Sequence, residues 1–489
     1  MNVTTVGTTG GVETTGLPAT TLVTGDGTEG ETDPEPPKYD VGPIPDVPPP
    51  PGGCGGGGGK GGGGNGQPAF SYIWISNSSQ GTVSKIDTVT LQEVGRYRTH
   101  PNFGDPSRTS VNLNGDVAVA NRNGGVAKFY ANPLHCEDRN GDGVITTSSG
   151  ANDILAWDDE ECRAWFVPFV YQSQRPVAWA PGVWDATACR YENTKVWTSG
   201  ANDNGGGKWP DPKEPPKPDP KEPPKPDPKN PPDPMDPGDP GDPGDPGDPG
   251  NPGEPVPPDG GDGGDGGDGM GGGGGQGGID VILIDGDSGV VEQTIPIPEM
   301  TPSYFGIYGG AVDADGNFWG SQLGSGHLVR VELDTFDHQV WPMQAGGYGM
   351  TVDSQGYVWT CDYQVGRFDP VTETWQMAMT GGSGGCMEDG NGTLWQAGNG
   401  LTGVDTETLQ VVINIPLGGG GGKWEGGYVH GVSIDFQGYV WGVSMGTEAY
   451  RVDPSTGEYD TVPGGTGPYT SSDMTGFALA NAGGWNPAG

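Results

Sequence analysis

The 489-residue chain holds 96 glycines, 49 prolines, only 31% apolar residues and a formal charge of -41. Spread evenly, that composition would exclude a packed core, and a polyanion of this size excludes nucleic-acid phosphates and anionic membrane surfaces as partners. No apolar run approaches the length of about 18 residues that a membrane-spanning helix needs, so no span is expected.

The composition is uneven. Glycine, proline and aspartate gather in residues 1–69 and 204–278, while nearly all tryptophans lie elsewhere, which predicts one folded unit, 70–203 plus 279–489, with two disordered additions. Residues 1–69 read as a Thr/Gly/Pro-rich stalk, and their start, "MNVTTVGTTGG", has neither the basic residues nor the apolar stretch of a signal peptide. From Tyr72, "YIWISNSSQGTVSKIDTVTLQEVGRYRT" alternates as three strands and lacks a fourth; "SVNLNGDVAVA" follows as part of a second unit.

That second unit is interrupted after its third strand by "CEDRNGDGVITTSSGANDILAWDDEEC", residues 136–162. Asp138, Asn140 and Asp142 at alternate positions, followed by Gly143, match the first part of a D-x-N-x-D-G calcium loop, with the Val144 carbonyl at its seventh position. Hard oxygen ligands at this spacing wrap one cation while the glycine permits the sharp turn. The twelfth position, which should carry a carboxylate, is Ser149, leaving Asp153, Asp158 or Glu161 to complete the shell. The expected cofactor is therefore a structural calcium ion.

After "VAWAPGVWDATACRYENTKVWTS", residues 204–278 bring 16 acids against 6 lysines, a net of -10, with "DPKEPPKPDP" runs suited to polyproline II. The segment should leave the third unit after its second strand. Beyond it the pattern D-x-x-G-x-x-W recurs in "VDADGNFWG", "VDSQGYVWT", "EDGNGTLWQ" and "IDFQGYVWG", with Trp319, Trp359, Trp395 and Trp441 spaced 36 to 46 residues apart. This is the period of a propeller blade, and "GMTVD", "YVWTCD", "VGRFDP" and "TWQMAM" supply its four strands. Asp caps the turn amides, Gly takes positive φ, and the tryptophan fills the space between blades. "MTGFALANAG", 474–483, offers one last strand, which completes the first blade from the other terminus. The fold class is thus all-β, a seven-bladed β-propeller closed by both termini.

Cys136 with Cys162 and Cys361 with Cys386 are the expected disulfides; Cys189 competes for a partner in the first pair, and Cys54 stands alone in a glycine-rich run. Such cysteine usage fits an exported, extracellular or cell-surface protein.

The "HGVSIDFQGYVW" stretch and the D-x-x-G-x-x-W blades resemble virginiamycin B lyase, a family of seven-bladed propellers that opens streptogramin B antibiotics by magnesium-assisted elimination. The resemblance implies a catalytic role for His430. It also implies a glutamate two residues earlier, where this chain has Tyr428, another three after the strand tryptophan, where it has Ser444, and a second histidine, which falls at "GGSGGCMED". The Glu, Asn and Asp set of a gluconolactonase-like metal site is not assembled either. Residues at the starts of the innermost strands should ring one channel mouth: Arg108, Arg175, Tyr308, Tyr348 and His430. Guanidinium and phenol groups there suit a small anionic or aromatic ligand, or a surface protein, although the same residues also serve as ion-pair partners and packing. The reading is a non-catalytic binding or scaffold module; the alternative is a streptogramin lyase with magnesium as its metal.

Overall fold

Alternation of apolar and polar residues builds seven antiparallel sheets around one axis in a computed structural model that describes residues 71–202 and 278–483, apart from 186, 189, 301–304, 325, 419–427, 464 and 471. The stalk, residues 204–277 of the acidic insertion, Cys54 and Cys189 lie outside the described residues. Blades 2 to 7 each have four strands, whose innermost members are Pro106–Val111, Ser173–Ala180, Ile307–Val312, Gly349–Val352, Cys386–Glu388 and Val429–Ile434. In blade 3 a short hairpin, Val183–Asp185 with Arg190–Glu192, stands between the first and second strands and is docked by Asn114, which exchanges two hydrogen bonds with the Tyr191 backbone. Asn202 and Gly278, the described residues flanking the insertion, pair with each other at the end of blade 3 where Gly200 pairs with Gln174.

Blade 1 contains Tyr72–Asn77, Thr82–Asp87 and Glu93–Arg98, and its inner place is filled from the C-terminal side. The expected closing strand lies a few residues earlier than its sequence suggests. Asn77 bridges Pro468, the Tyr469 amide donates to the Ser76 carbonyl at 3.0 Å, and the Trp74 amide donates to the Met474 carbonyl at 2.8 Å. Phe477–Ala482, read from sequence as strand, is a helix. It packs against the innermost strands of blades 4, 5 and 7 and buries Phe477, Leu479, Ala480 and Ala482 in the channel. Asp473 fixes its entry by accepting from the amides of Thr475, Gly476 and Leu479, while Asn481 donates to Glu388 at 2.6 Å. A short helix satisfies its own backbone inside a closed channel, where an unpaired strand would not.

The repeat motif works as a clasp. Asp353 Oδ1 accepts from the amides of Gln355 and Tyr357, Gly356 sits at φ 84°, and the Trp359 indole N–H donates to Asp353 Oδ2 at 2.7 Å. The same indole-to-carboxylate bond joins Trp319 to Asp313, Trp395 to Asp389 and Trp441 to Asp435. Thus one carboxylate both shapes the turn and orients the ring that fills the blade. Burial pushes Asp435 up to about 6, against the opposing pull of the indole and the Tyr439 and Gln437 amides.

Both predicted disulfides form: Cys136 to Cys162 pins the ends of the 136–162 loop, and Cys361 to Cys386 ties blade 5 to blade 6. No described helix is long and apolar enough to cross a membrane.

Trp441→Phe leaves the buried Asp435 carboxylate without its indole donor and should cost about 1–3 kcal/mol near pH 8. The cost should shrink near pH 5, where Asp435 is protonated and needs the donor less. Equal losses at both pH values in denaturant titrations would show that the clasp is only packing.

Candidate channel-mouth site

The innermost strands begin at one mouth of the channel, and irregular pairing there turns side chains inward. In blade 4 the register shifts between Ile307 and Gly309, leaving Tyr308 as the extra residue; in blade 7 it shifts between Val429 and Gly431, leaving His430. Blade 3 has a comparable irregularity beside Arg175, opposite Thr198 to Gly200. Such bulges re-aim a side chain without ending the sheet. Gly431 is required by close approach: a Cβ there would lie 2.2 Å from the Thr470 carbonyl oxygen of the closing segment.

All five residues expected at the mouth are brought together. The guanidinium carbons of Arg108 and Arg175 lie 4.5 and 4.9 Å from the Tyr308 ring centre. Tyr308 meets Tyr348 at 5.4 Å, and Tyr348 meets His430 at 5.7 Å between ring centres. Arg108, Arg175, Tyr308 and His430 are nearly fully buried, whereas Tyr348 is half-buried.

Four further participants were not anticipated. Tyr469, from the closing segment, hydrogen-bonds through its hydroxyl to Tyr308 and Tyr348, and its ring stacks 6.4 Å from His430. Arg122 lies 4.4 Å from the Tyr469 ring centre and pairs with Asp105 at 2.6 Å. Phe305 packs on Tyr308 at 5.6 Å and Tyr428 on His430 at 4.9 Å. Tyr469 was hidden because its segment pairs through only scattered hydrogen bonds, which leave no alternating signature; Tyr428 is visible in sequence only as the residue replacing a glutamate.

The cluster is electropositive. Arg108 donates through Nη1 to the Ser107 carbonyl at 2.8 Å and through Nε to the Tyr308 carbonyl at 3.4 Å, but its Nη2 has no hydrogen-bond partner. Nε and Nη1 of Arg175 are likewise buried and unpartnered, and burial, with the positive charges of Arg108 and Arg122 adding to it, brings Arg175 down to about 10. Burial by itself would raise Tyr469. Arg108, hydrogen bonds with Tyr308 and Tyr348, and Arg175 overcome it and bring the phenol down to about 8, while burial holds Tyr348 well above the usual tyrosine range.

The 136–162 loop is organised by internal hydrogen bonds. Asp138 accepts from the amides of Gly141, Asp142 and Gly143, Asn140 from Asp142, and Asp142 from Val144. Glu161 accepts from the amides of Arg139, Asn140 and Thr146, and Asp153 from the Ser149 hydroxyl. Among the described residues, no three acidic, histidine or cysteine side chains are grouped to hold one ion. Asp153 also bridges Gly150 within its own turn.

No protein-family model and no curated protein matches the chain. Its fold is similar to several solved structures. A virginiamycin B lyase from Staphylococcus aureus matches at 12% identity and TM-score 0.39, over 74% of this chain and 84% of that one. A functionally unknown protein from Desulfotomaculum acetoxidans matches at 7% and 0.44, over 82% and 99%, and the Neurospora crassa Pan2 WD40 domain at 9% and 0.42, over 76% and 82%.

One tyrosine should titrate near pH 8 by ultraviolet absorbance, and Tyr469→Phe should remove that transition. The folded state releases this proton before the unfolded chain, whose tyrosines ionise near 10. Tyr469 therefore contributes stability that grows as pH rises from about 8 to about 10 and is lost as pH falls back through 8. Persistence of the transition in Tyr469→Phe would place it on another residue.

Proposed function

We propose that the chain is an exported, non-catalytic β-propeller serving as an extracellular or cell-surface binding or scaffold module, with the channel mouth as its ligand site. The observation that carries this reading is the pooling of Arg108, Arg175, Tyr308, Tyr348, Tyr469 and His430 at one end of the channel. Guanidinium groups lined by aromatic rings recognise anionic or aromatic ligands by charge-assisted hydrogen bonds and stacking. Cys136–Cys162 and Cys361–Cys386 support an oxidising compartment.

Metal-assisted streptogramin lysis is the competing reading. It needs carboxylates beside His430 to hold magnesium and move a proton. The rings around His430 are those of Tyr348, Tyr428 and Tyr469, and Ser444 donates its hydroxyl proton to the Glu448 carbonyl. Incubation with virginiamycin B and magnesium should leave the antibiotic intact with both the wild-type protein and His430→Ala. Turnover by the wild type that His430→Ala abolishes would replace the binding-module reading with the lyase.

The 136–162 loop is proposed to take one calcium ion through Asp138, Asn140, Asp142 and the Val144 carbonyl, with Asp153 completing the shell, as a clamp on an exposed loop. Their alternate spacing and the positive φ of Gly141 and Gly143 suit a loop folded around a cation. Removing calcium with EGTA should lower the melting temperature by about 1–2 °C, the effect of roughly 1 kcal/mol in a folded unit of this size. An unchanged melting temperature would leave the loop held by its hydrogen bonds and disulfide alone.

A further inference from the structure

The arginine pair at the mouth has an unbalanced charge. Arg108 and Arg175 are only 1% and 4% exposed, and three of their nitrogens, Nη2 of Arg108 and Nε and Nη1 of Arg175, meet no acceptor. Buried guanidinium groups are ordinarily paired, because losing both hydration and a counter-ion costs several kcal/mol. Among the described residues, no carboxylate is paired with these two side chains. Asp105 is bonded to Arg122 beside this cluster. The facing ionisable groups from the other elements are Tyr308 and Tyr348 on blades 4 and 5, His430 on blade 7 and Tyr469 on the closing segment. The Tyr469 hydroxyl, brought down to about 8, is neutral below that pH.

We infer that Arg108 and Arg175 form a subsite for one small singly charged anion, either a free halide or the carboxylate head of a larger organic ligand. The unpartnered donors supply hydrogen bonds that a water molecule can also accept, but water leaves the two positive charges uncompensated. A singly charged ion is favoured over a phosphate or sulfate dianion, whose dehydration cost rises steeply with charge. The half-buried ring of Tyr469 lies 5.8 Å from the Arg108 guanidinium carbon, and the half-buried Tyr348 ring packs on Tyr308 beside it. An aromatic body attached to the carboxylate would stack there. This inference rests on the mouth being a ligand site and names the ligand's charged end.

Two readouts test it in the full-length protein at constant ionic strength, with sulfate, the disfavoured dianion, as the reference and chloride, acetate and benzoate as probes. Bound anion should raise the melting temperature by about 2–4 °C at concentrations well above its dissociation constant. It should also move the Tyr469 absorbance transition upward, because an anion beside the guanidinium groups cancels the potential that favours the phenolate. Both effects should disappear in Arg175→Gln. Chloride acting as strongly as the carboxylates identifies a halide site; benzoate acting at least tenfold more tightly than acetate identifies a carboxylate with an aromatic body. If no probe differs from sulfate in either readout, or if Arg175→Gln responds like the wild type, the subsite is overturned. The absorbance readout on the wild type stands even if Arg175→Gln does not fold. Turnover of virginiamycin B would overturn the non-catalytic reading while leaving this result untouched, so the two fail separately.

Discussion

Closure of the ring is the constraint on which the other features depend. A propeller sheet cannot bury its inner edge unless the first and last blades meet, and here they meet through residues 468–470 and 472–474, lying along Tyr72–Asn77 by a few backbone hydrogen bonds. That sparse pairing is reinforced from both sides. Asn77 Oδ1 accepts from the Thr466 amide, and the Thr475 hydroxyl donates to the Ile434 carbonyl of blade 7 at 2.5 Å. The same few residues bring Tyr469 to one end of the channel and the Phe477–Ala482 helix to the other. Ring closure, channel filling and the electrostatics of the mouth are therefore properties of one short segment, and a change in any of them should be felt in the others.

The blades use buried acids in a consistent way. In each clasp a carboxylate loses water but gains two turn amides and an indole N–H, so its charge is partly compensated by donors fixed by the fold. Compensation is incomplete, since burial still leaves Asp353, Asp389 and Asp435 above the ordinary aspartate range. Glu388 and Asp473, which hold the channel helix, are raised in the same way to about 7 and about 6. The folded state thus binds these protons more tightly than the unfolded chain, a contribution to stability that is lost as pH rises through 6 to 7. Tyr469 works in the opposite sense at higher pH, so the two ends of the channel respond to pH in opposite directions.

The blades were legible because their determinants are local and repeated: Asp, Gly and Trp at fixed offsets dictate turn, backbone sign and packing within seven residues. The disulfides were legible from position: Cys136 and Cys162 bracket one inserted loop, and Cys361 and Cys386 lie on neighbouring repeats. The mouth was legible to the extent that strand starts could be aligned, which located Arg108, Arg175, Tyr308, Tyr348 and His430. Bulges beside Tyr308 and His430 are set by the packing of neighbouring blades and have no local code beyond the glycine that follows each. The helix at Phe477–Ala482 was misread because six buried residues in a channel carry no period that separates helix from strand. Tyr469 escaped because a strand held by neighbours on a closing seam needs no alternation of its own.

The cationic mouth gains its meaning from the charge of the whole chain. A net charge of -41 repels anions at long range, but salt near physiological strength reduces that field within about 8 Å, whereas the guanidinium groups act at contact distance behind low-dielectric walls. Affinity for an anion is thus decided inside the mouth, and the approach to it by the surrounding acids. Added salt weakens the long-range repulsion more than the contact, which gives this site an association rate that rises with ionic strength. A basic protein with the same two arginines would show the reverse. The sign of that salt dependence follows from placing a desolvated positive pair in a strongly acidic molecule, and it filters for ligands that carry their single negative charge on an apolar, stackable body.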